Sequence, residues 1–279
     1  MERRVVRSYA PGHISGYFKR IDGTSPKETG SIGAGIVIDK GVTVTLKKAS
    51  VTAITINGST EDSWLVHEIL DSLQVTANVI VDAALPIGAG FGMSAAGLLA
   101  LLHAANELFS LGLSATEISE KAHEFEVKHG TGLGDVAAAS KAGIVVRTMP
   151  GINGVSKQIF SDEPIYALTF GGIATPDVIE SKEKMEIVSN AFPKTVPETL
   201  GEVMNNSRSF AEKSGLLTER LIPILEECDD NGVVASMTML GEGVFAIGEN
   251  ARRILEKYGQ VYELHIASSG PFVEVLNYV

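Results

Sequence analysis

Hydrophobic residues alternate with polar ones in several short stretches of the chain, and this spacing predicts β-strands. Residues 1–10 form the first strand pattern and lead into Pro11-Gly12, where we expect a turn. Residues 31–48 contain two more strand patterns, and residues 51–56 end at Asn57-Gly58, a hairpin signal. Further strands are predicted at residues 77–84, 144–147, 165–170, 244–247, 261–267 and 272–276.

Other stretches have apolar residues at helical spacing. Residues 94–110 are apolar nearly all round, which indicates a buried helix. Ser114 and Glu117 have the spacing of a capping box, so a helix should follow as far as about Lys128. Further helices are predicted at residues 64–73, 136–142, 177–191, 197–213, 217–228 and 250–258. Helices and short strands occur in both halves, which predicts an α+β fold.

A proline and two glycines between Met149 and Gly154 mark the best candidate for a domain boundary. We therefore predict an N-terminal domain over residues 1–154 and a C-terminal domain over residues 155–279.

The chain has 279 residues and a net charge of −11, which disfavours nucleic acid or an anionic membrane as a partner. Cys228 is the single cysteine, so an internal disulfide is impossible and a reducing compartment is favoured. The N-terminus lacks the apolar segment of a signal peptide. The most apolar run, residues 95–102, is far shorter than the roughly 20 residues that span a membrane. We therefore expect a cytoplasmic protein.

The segment LPIGAGFGMSAA at residues 85–96 carries the strongest chemical signal. Gly88, Gly90 and Gly92 lack a Cβ and can turn successive N–H groups toward one point, and the helix that follows adds its positive dipole end. This predicts a phosphate site, in which Ser94 could cap the helix and bind a metal. The alternative is a glycine-rich turn that only lets a strand pass close to a helix. The spacing fits neither a Walker A loop nor a dinucleotide fingerprint.

Two further motifs stand in a fixed order around this loop: SYAPGHISGYF at residues 8–18 and EVKHGTGLGDVAA at residues 126–138. Together the three resemble the GHMP kinase superfamily, which includes galactokinase, homoserine kinase and mevalonate kinase. The resemblance covers most of the chain. It implies an N-terminal domain like domain 2 of ribosomal protein S5 and a ferredoxin-like C-terminal domain. It also implies a kinase that uses ATP and Mg2+ to phosphorylate a small hydroxylated molecule.

The resemblance also implies roles for individual residues. Asp135, which follows TGLG, matches the catalytic base; an ordinary helix cap is the alternative. The dipole of the helix that begins there should keep its carboxylate ionised. Glu126 matches a Mg2+ ligand beside Ser94, with Glu124 as its rival, because two positions apart on a helix face different sides. The residues expected to contact ATP are Gly88, Gly90, Gly92, Ser94 and Ala95, and those expected to contact the acceptor are Gly12, His13, Ser15 and Gly16.

The chain departs from the family pattern at two positions. Met93 stands where a first serine is usual, and His13 stands where several members have lysine. Arg147 or Lys128 could supply the missing charge, and His13 could instead stabilise a turn. Gly241-Glu242-Gly243 is expected beside the triphosphate.

The acceptor is expected to be a small hydroxy acid, and an isoprenoid alcohol is an alternative. A non-catalytic ligand sensor and a decarboxylase that uses ATP only to activate a leaving group are rivals; the intact Asp135 and Ser94 disfavour the sensor. A homodimer is plausible.

Overall fold

The computed structural model describes residues 3–172 and 181–278. Within these residues a large sheet has the order β12-β1-β2-β5-β3-β4, and β6 joins it through β2 and β7 through β6. Its strands are β1 Arg3–Ile21, β2 Gly30–Lys48, β3 Ala53–Ile56, β4 Ser59–Thr60, β5 Ala77–Ala83, β6 Ile144–Arg147, β7 Val155–Ile159 and β12 Phe272–Tyr278.

A smaller sheet has the order β11-β8-β10-β9. Its strands are β8 Ile165–Gly172, β9 Val234–Met237, β10 Gly241–Ile247 and β11 Tyr262–Leu264. The described helices are α1 Trp64–Ser72, α2 Met93–Phe109, α3 Ala115–Lys128, α4 Asp135–Ala139, α5 Lys182–Ala191, α6 Leu200–Lys213, α7 Ile222–Asp230 and α8 Ala251–Leu255. The predicted α+β class is confirmed.

The predicted turn at Pro11-Gly12 is wrong, because β1 continues through these residues. Pro11 pairs with Gly41 and Gly12 pairs with Ile38, so β2 carries two extra residues at this point. Proline cannot donate to a ladder and is tolerated where a bulge interrupts it. Because the bulge accommodates Pro11, β1 continues past it and the rest of the N-terminal motif stays within the sheet.

The apolar helix predicted at residues 94–110 is confirmed as α2, with its first residue at Met93. It packs on β1 and β2, and Leu98, Leu99 and Leu102 along it are fully or almost fully buried. Burying one leucine side chain contributes roughly 1.5–3 kcal/mol. The long α2 thus anchors the loop that precedes it to the main core.

Two local signals are also confirmed. Asn57 and Gly58 both have positive φ, of 49° and 81°, and they join β3 to β4. Ser114 and Glu117 form the complete capping box at the start of α3. Both signals depend only on neighbouring residues, which explains why the hairpin and the capping box could be predicted from the sequence.

The C-terminal half matches the predictions less closely. Helix α5 begins at Lys182; residues 177–180 of the predicted helix lie outside the described residues. Strands β7 and β9 were not predicted. Beyond residue 154, both β7 and β12 belong to the larger sheet, whereas the smaller sheet lies entirely within the second half. The division at 154/155 remains a prediction.

None of the helices in residues 3–172 and 181–278 combines the length and the apolar character needed to cross a membrane.

Candidate active site

The three sequence motifs meet at one pocket, together with a turn of the smaller sheet. The segments that line it are the end of β1, the start of β2, the glycine-rich loop, the segment before α4, the end of β6 and the β9–β10 turn. The predicted residues among the lining are Ser15, Gly88, Gly90, Gly92, Ser94, Ala95 and Asp135. The lining residues that were not predicted as site residues are Phe18, Ser31, Met93, Thr131, Gly132, Leu133, Gly134, Arg147, Met239 and Leu240.

The glycine-rich loop has the backbone that the sequence suggested. Gly88, Gly90 and Gly92 all have positive φ, of 80°, 83° and 66°. The loop is tied to the sheet, because the His13 amide donates to the Phe91 carbonyl at 2.9 Å. Its glycines therefore bring main-chain atoms to the pocket wall without side chains in the way.

The predicted cap by Ser94 is wrong. Gly92 is the N-cap residue of α2, in a left-handed conformation and without a side-chain hydrogen bond. Ser94 lies in the first turn, is half-buried and faces the same pocket. Its hydroxyl is therefore not needed to cap the helix, and the free amide end of α2 borders the pocket.

Asp135 is the carboxylate of this pocket. It opens α4, and its side chain is 24% exposed. Its Oδ1 lies 2.6 Å from His13 Nδ1 and accepts from the Ser15 hydroxyl at 3.3 Å. Burial raises the pKa of Asp135, but the hydrogen bond from His13 and the charge of Arg147 outweigh it, so the pKa is lowered overall. The group is ionised at neutral pH.

His13 lies behind Asp135 rather than in the pocket lining, and its side chain has no solvent exposure. Because Asp135 is ionised, Nδ1 must carry the proton of this hydrogen bond. The ring fits because residue 35 is glycine: a Cβ there would lie 2.3 Å from His13 Nε2. The His13 ring therefore orients the Asp135 carboxylate and does not stabilise a turn.

Arg147 places a buried cation beside Asp135. Its side chain is 2% exposed, and it donates to the carbonyl of Gly134. Burial lowers the pKa of Arg147, while Asp135 and Glu126 oppose this effect. Lys128, the other candidate for the missing charge, instead pairs with Glu68 at 2.6 Å on the surface. Arg147 was one of two candidates for the missing positive charge, and the fold selects it because β6 lies at the site.

Glu126 supports the backbone at Asp135, a role that the sequence did not reveal. It is 1% exposed, and its Oε1 accepts from the amides of Asp135 at 3.0 Å and Val136 at 3.1 Å. Its Oε2 lies 3.1 Å from His123 Nδ1, whose ring also bonds to the Thr29 carbonyl at 2.9 Å. Glu126 thus binds the amide end of α4 and fixes the backbone that carries Asp135.

Glu126 and its neighbours do not form a metal centre by themselves. Burial lowers the pKa of His123, but the hydrogen bond and charge of Glu126 outweigh it and raise the pKa. Glu124 is exposed on the opposite side of α3. Among residues 3–172 and 181–278, no group of three or more His, Cys, Asp or Glu side chains could hold a metal ion.

Gly12 and Gly16, both predicted to contact the acceptor, are outside the pocket lining and fill packing roles. A Cβ on Gly12 would lie 2.7 Å from the Phe91 carbonyl, and one on Gly16 would lie 2.2 Å from Ser207 Oγ of α6. These glycines let the loop and α6 approach β1 closely.

Gly241 and Glu242 of the GEG motif contact different parts of the structure. A Cβ on Gly241 would lie 2.3 Å from the Ala89 carbonyl, so Gly241 packs directly on the glycine-rich loop. Glu242 instead pairs with Arg220 at 3.0 Å.

Comparison with known proteins agrees with this geometry. Residues 63–143 match the family described as GHMP kinases N terminal domain, and residues 190–264 match GHMP kinases C terminal. A pantoate kinase of Methanospirillum hungatei is 41% identical, with 98% of both chains covered. A pantoate kinase of Methanocaldococcus jannaschii is 33% identical over 86% of this chain and 92% of its own. A solved structure described as a phosphotransferase related to the CoA biosynthesis pathway is 27% identical, with a TM-score of 0.82 over 97% of this chain and 98% of that one.

Proposed function

This chain belongs to the GHMP kinase family, and we propose that it transfers the terminal phosphate of ATP to the primary 4-hydroxyl of pantoate, a step of archaeal coenzyme A biosynthesis. The similarity to pantoate kinases over nearly the full chain supports this acceptor. The wording of APGHISGYF, TGLGDVAA and MLGEGVFAIG, which resembles archaeal pantoate kinases, supports it as well.

The observation that carries the proposal is the Asp135 carboxylate in one pocket with the glycine-rich loop at residues 88–92. We assign this loop to the phosphates of ATP and call it the phosphate loop. Asp135 accepts the proton of the acceptor hydroxyl as that oxygen attacks the γ-phosphorus. The bond between the γ-phosphorus and the bridging oxygen then breaks, and ADP leaves with the electron pair. The proton remains on Asp135 until it is released to solvent.

His13 and Ser15 prepare Asp135 for this step. Both of their hydrogen bonds fall on Oδ1, so we assign Oδ2 as the oxygen that meets the acceptor. Oδ2 faces the position of Gly132, where a Cβ would lie 3.1 Å away. The absence of a side chain at residue 132 leaves room for the substrate hydroxyl.

The donor set of the pocket suits Mg2+, which binds hydroxyl, carboxylate and phosphate oxygens. Ser94 and Asp135 both present oxygens to the pocket, and we assign Ser94 as the direct protein ligand. Glu126 fits less well, because both of its oxygens already accept hydrogen bonds from the protein. When bound, Mg2+ would offset the negative charge of the phosphates.

Arg147 is the group that we assign to the acceptor carboxylate. A small anion that enters beside ATP, in a protein with a net charge of −11, needs a local cation. Arg147 lines the pocket and is the buried cation next to Asp135. The amides of Gly12–Gly16 are less suitable, since this segment pairs with β2 and the His13 amide bonds to Phe91.

The test is an ADP-release assay with pantoate, its methyl ester, mevalonate, homoserine and shikimate. We expect the highest kcat/KM with pantoate and a much lower value with the ester, because the ester leaves the buried cation unpaired. A higher kcat/KM with mevalonate, or equal values for acid and ester, would reject pantoate as the acceptor. Measuring CO2 in the same reactions tests the decarboxylase alternative, for which ADP and CO2 would appear together.

A further inference from the structure

The turn between β9 and β10 holds Leu240 in a backbone conformation that is unusual for its residue type. Its φ is +60°, in the left-handed region that favours glycine. Leu240 is half-buried and lines the active-site pocket together with its neighbour Met239. Such backbone strain persists only where the surroundings fix it, and it often marks a functional position.

The surroundings do fix this turn. Within it, the Thr238 amide donates to the Gly243 carbonyl at 2.9 Å, and the Gly241 amide donates to the Thr238 carbonyl at 3.2 Å. Outside it, the Met239 amide donates to the Ser15 carbonyl at 3.4 Å. The turn is therefore attached directly to β1.

The phosphate loop holds the other side of the turn. A Cβ on Gly90 would lie 2.9 Å from the Thr238 side chain and 3.2 Å from the Gly241 Cα. The β9–β10 turn thus has little freedom to move away from the loop. The side chain of Leu240 is presented to the pocket at a fixed place between the loop and β1.

The turn and Asp135 line the same pocket. Ser15, whose carbonyl holds the Met239 amide, also donates its hydroxyl to Asp135. One residue of β1 therefore connects the turn to the proposed base. We therefore expect the carbon atoms next to the reacting hydroxyl of the acceptor to lie toward this turn.

The pocket lining combines two kinds of groups. The phosphate loop, Asp135 and Arg147 provide amides and charges, which match phosphate, hydroxyl and carboxylate groups. The lining also carries large apolar side chains, and those outside α2 are Phe18, Leu133, Met239 and Leu240. A hydroxy acid without apolar bulk would leave these side chains poorly covered.

We propose that Leu240, supported by Met239, selects an acceptor with a fully substituted, branched carbon beside the reacting hydroxymethyl group. The inference rests on the proposed function, since pantoate carries two methyl groups on that carbon. The methyl groups would pack against Leu240 while the hydroxyl meets Asp135. Leu240 is thus a specificity-determining residue, not a proton-transfer group.

The test compares pantoate with 2,4-dihydroxybutyrate, which is the same hydroxy acid without the two methyl groups. One methyl in an apolar pocket is worth about 10-fold or more in kcat/KM, so wild-type protein should prefer pantoate by about 100-fold. Leu240→Ala should lower kcat/KM for pantoate about 10-fold and leave that for dihydroxybutyrate within about 2-fold. Leu240→Met, which keeps the apolar volume, should restore most of the preference.

Leu240→Gly separates side-chain contact from backbone strain, because glycine adopts this φ freely. It should show the same selective loss as Leu240→Ala, with an unchanged KM for ATP. Val234→Ala, at an exposed position of β9 outside the pocket, is the control and should alter neither acceptor.

Equal losses for both acceptors in Leu240→Ala and Leu240→Gly would overturn the inference and make the turn purely structural. Equal use of both acceptors by the wild type would also overturn it, while leaving the kinase proposal intact. If the wild type releases no ADP with pantoate, the proposed function itself fails, and the selection of pantoate fails with it.

Discussion

The imidazole of His13 lies directly behind the carboxylate of Asp135, with 2.6 Å between Nδ1 and Oδ1. The histidine is completely buried, whereas the carboxylate reaches the pocket. Several members of the GHMP kinase superfamily have lysine at the position of His13. In this chain His13 donates to the carboxylate at this place, and Arg147 adds a buried positive charge that also lowers the pKa of Asp135.

The first prediction concerns Asp135 as the base. Asp135→Asn should lower kcat by about 100-fold or more, because an amide cannot accept the proton of the hydroxyl. ATP affinity should change little, since the contacts assigned to the ATP phosphates come from the glycine-rich loop and not from this side chain. The measurement is steady-state kinetics with nucleotide binding measured in parallel. Asp82→Asn, at an exposed position of β5, is the matched control, and more than half of wild-type kcat in Asp135→Asn would exclude it from the mechanism.

A second prediction follows from the lowered pKa of Asp135. The pKa of an ordinary aspartate is about 3.9, and a carboxylate with a lowered pKa stays ionised below that pH. The acid limb of the pH profile of kcat/KM should therefore lie at low pH. His13→Leu removes a donor that lowers this pKa, and the acid limb of kcat/KM should move to higher pH. His13→Gln keeps an N–H donor and should shift the limb less. Identical acid limbs in wild type and His13→Leu would show that His13 does not tune the base.

The third prediction separates the metal ligands. Ser94→Ala should raise the Mg2+ concentration needed for half-maximal rate, with little effect on folding, because Ser94 does not cap α2. Glu126→Gln should lower the free energy of unfolding by about 1–3 kcal/mol, since the two amides keep only a neutral acceptor and His123 Nδ1 loses the oxygen that it faces.

Mg2+ titrations and urea unfolding of both variants check this, and the exposed Glu124→Gln is the control. If Glu126→Gln raises the Mg2+ requirement as much as Ser94→Ala does, Glu126 is a metal ligand after all. An unchanged requirement in Ser94→Ala would remove Ser94 from the metal site.

The fourth prediction tests the phosphate loop. Gly92→Ala should destabilise the protein by about 1–2 kcal/mol, because φ is +66° and the new Cβ would lie 2.8 Å from the His13 amide nitrogen. The KM for ATP should rise as the loop shifts.

Gly97→Ala, one turn into α2, is the matched control. Beyond its chain neighbours and the backbone of its own helix, a Cβ there meets no atom of the described residues within 4 Å, so alanine should stabilise the helix by up to about 1 kcal/mol. Thermal unfolding and ATP kinetics compare the two. If both variants behave alike, the left-handed conformation of Gly92 does not shape the site.

Much of the site could be predicted because its motifs are local. The glycines before α2 and the capping box of α3 are signals between residues close in sequence, and both are confirmed. The turn expected at Pro11-Gly12 was wrong because pairing with β2 overrides the local preference. Sheet pairing is a tertiary effect, which a single segment does not reveal.

The contacts that surround the Asp135 carboxylate join segments that are distant in sequence. His13 is 122 residues from Asp135, and Glu126 supports α4 through amides that only the folded loop exposes. Helical position separated Glu124 from Glu126, but it could not show which carboxylate was already hydrogen-bonded. Nothing in the sequence gives a reason to select Leu240, because its proposed role in acceptor selection rests on a backbone angle and on the pocket that it faces.

The most direct test of the account is to identify the product made from ATP, Mg2+ and pantoate by 31P and 1H NMR. We expect one phosphomonoester whose phosphorus couples to the protons of the hydroxymethyl carbon, formed in equal amount to ADP and absent with Asp135→Asn. A phosphate on the 2-hydroxyl, or ADP formed together with inorganic phosphate and no phosphomonoester, would contradict it.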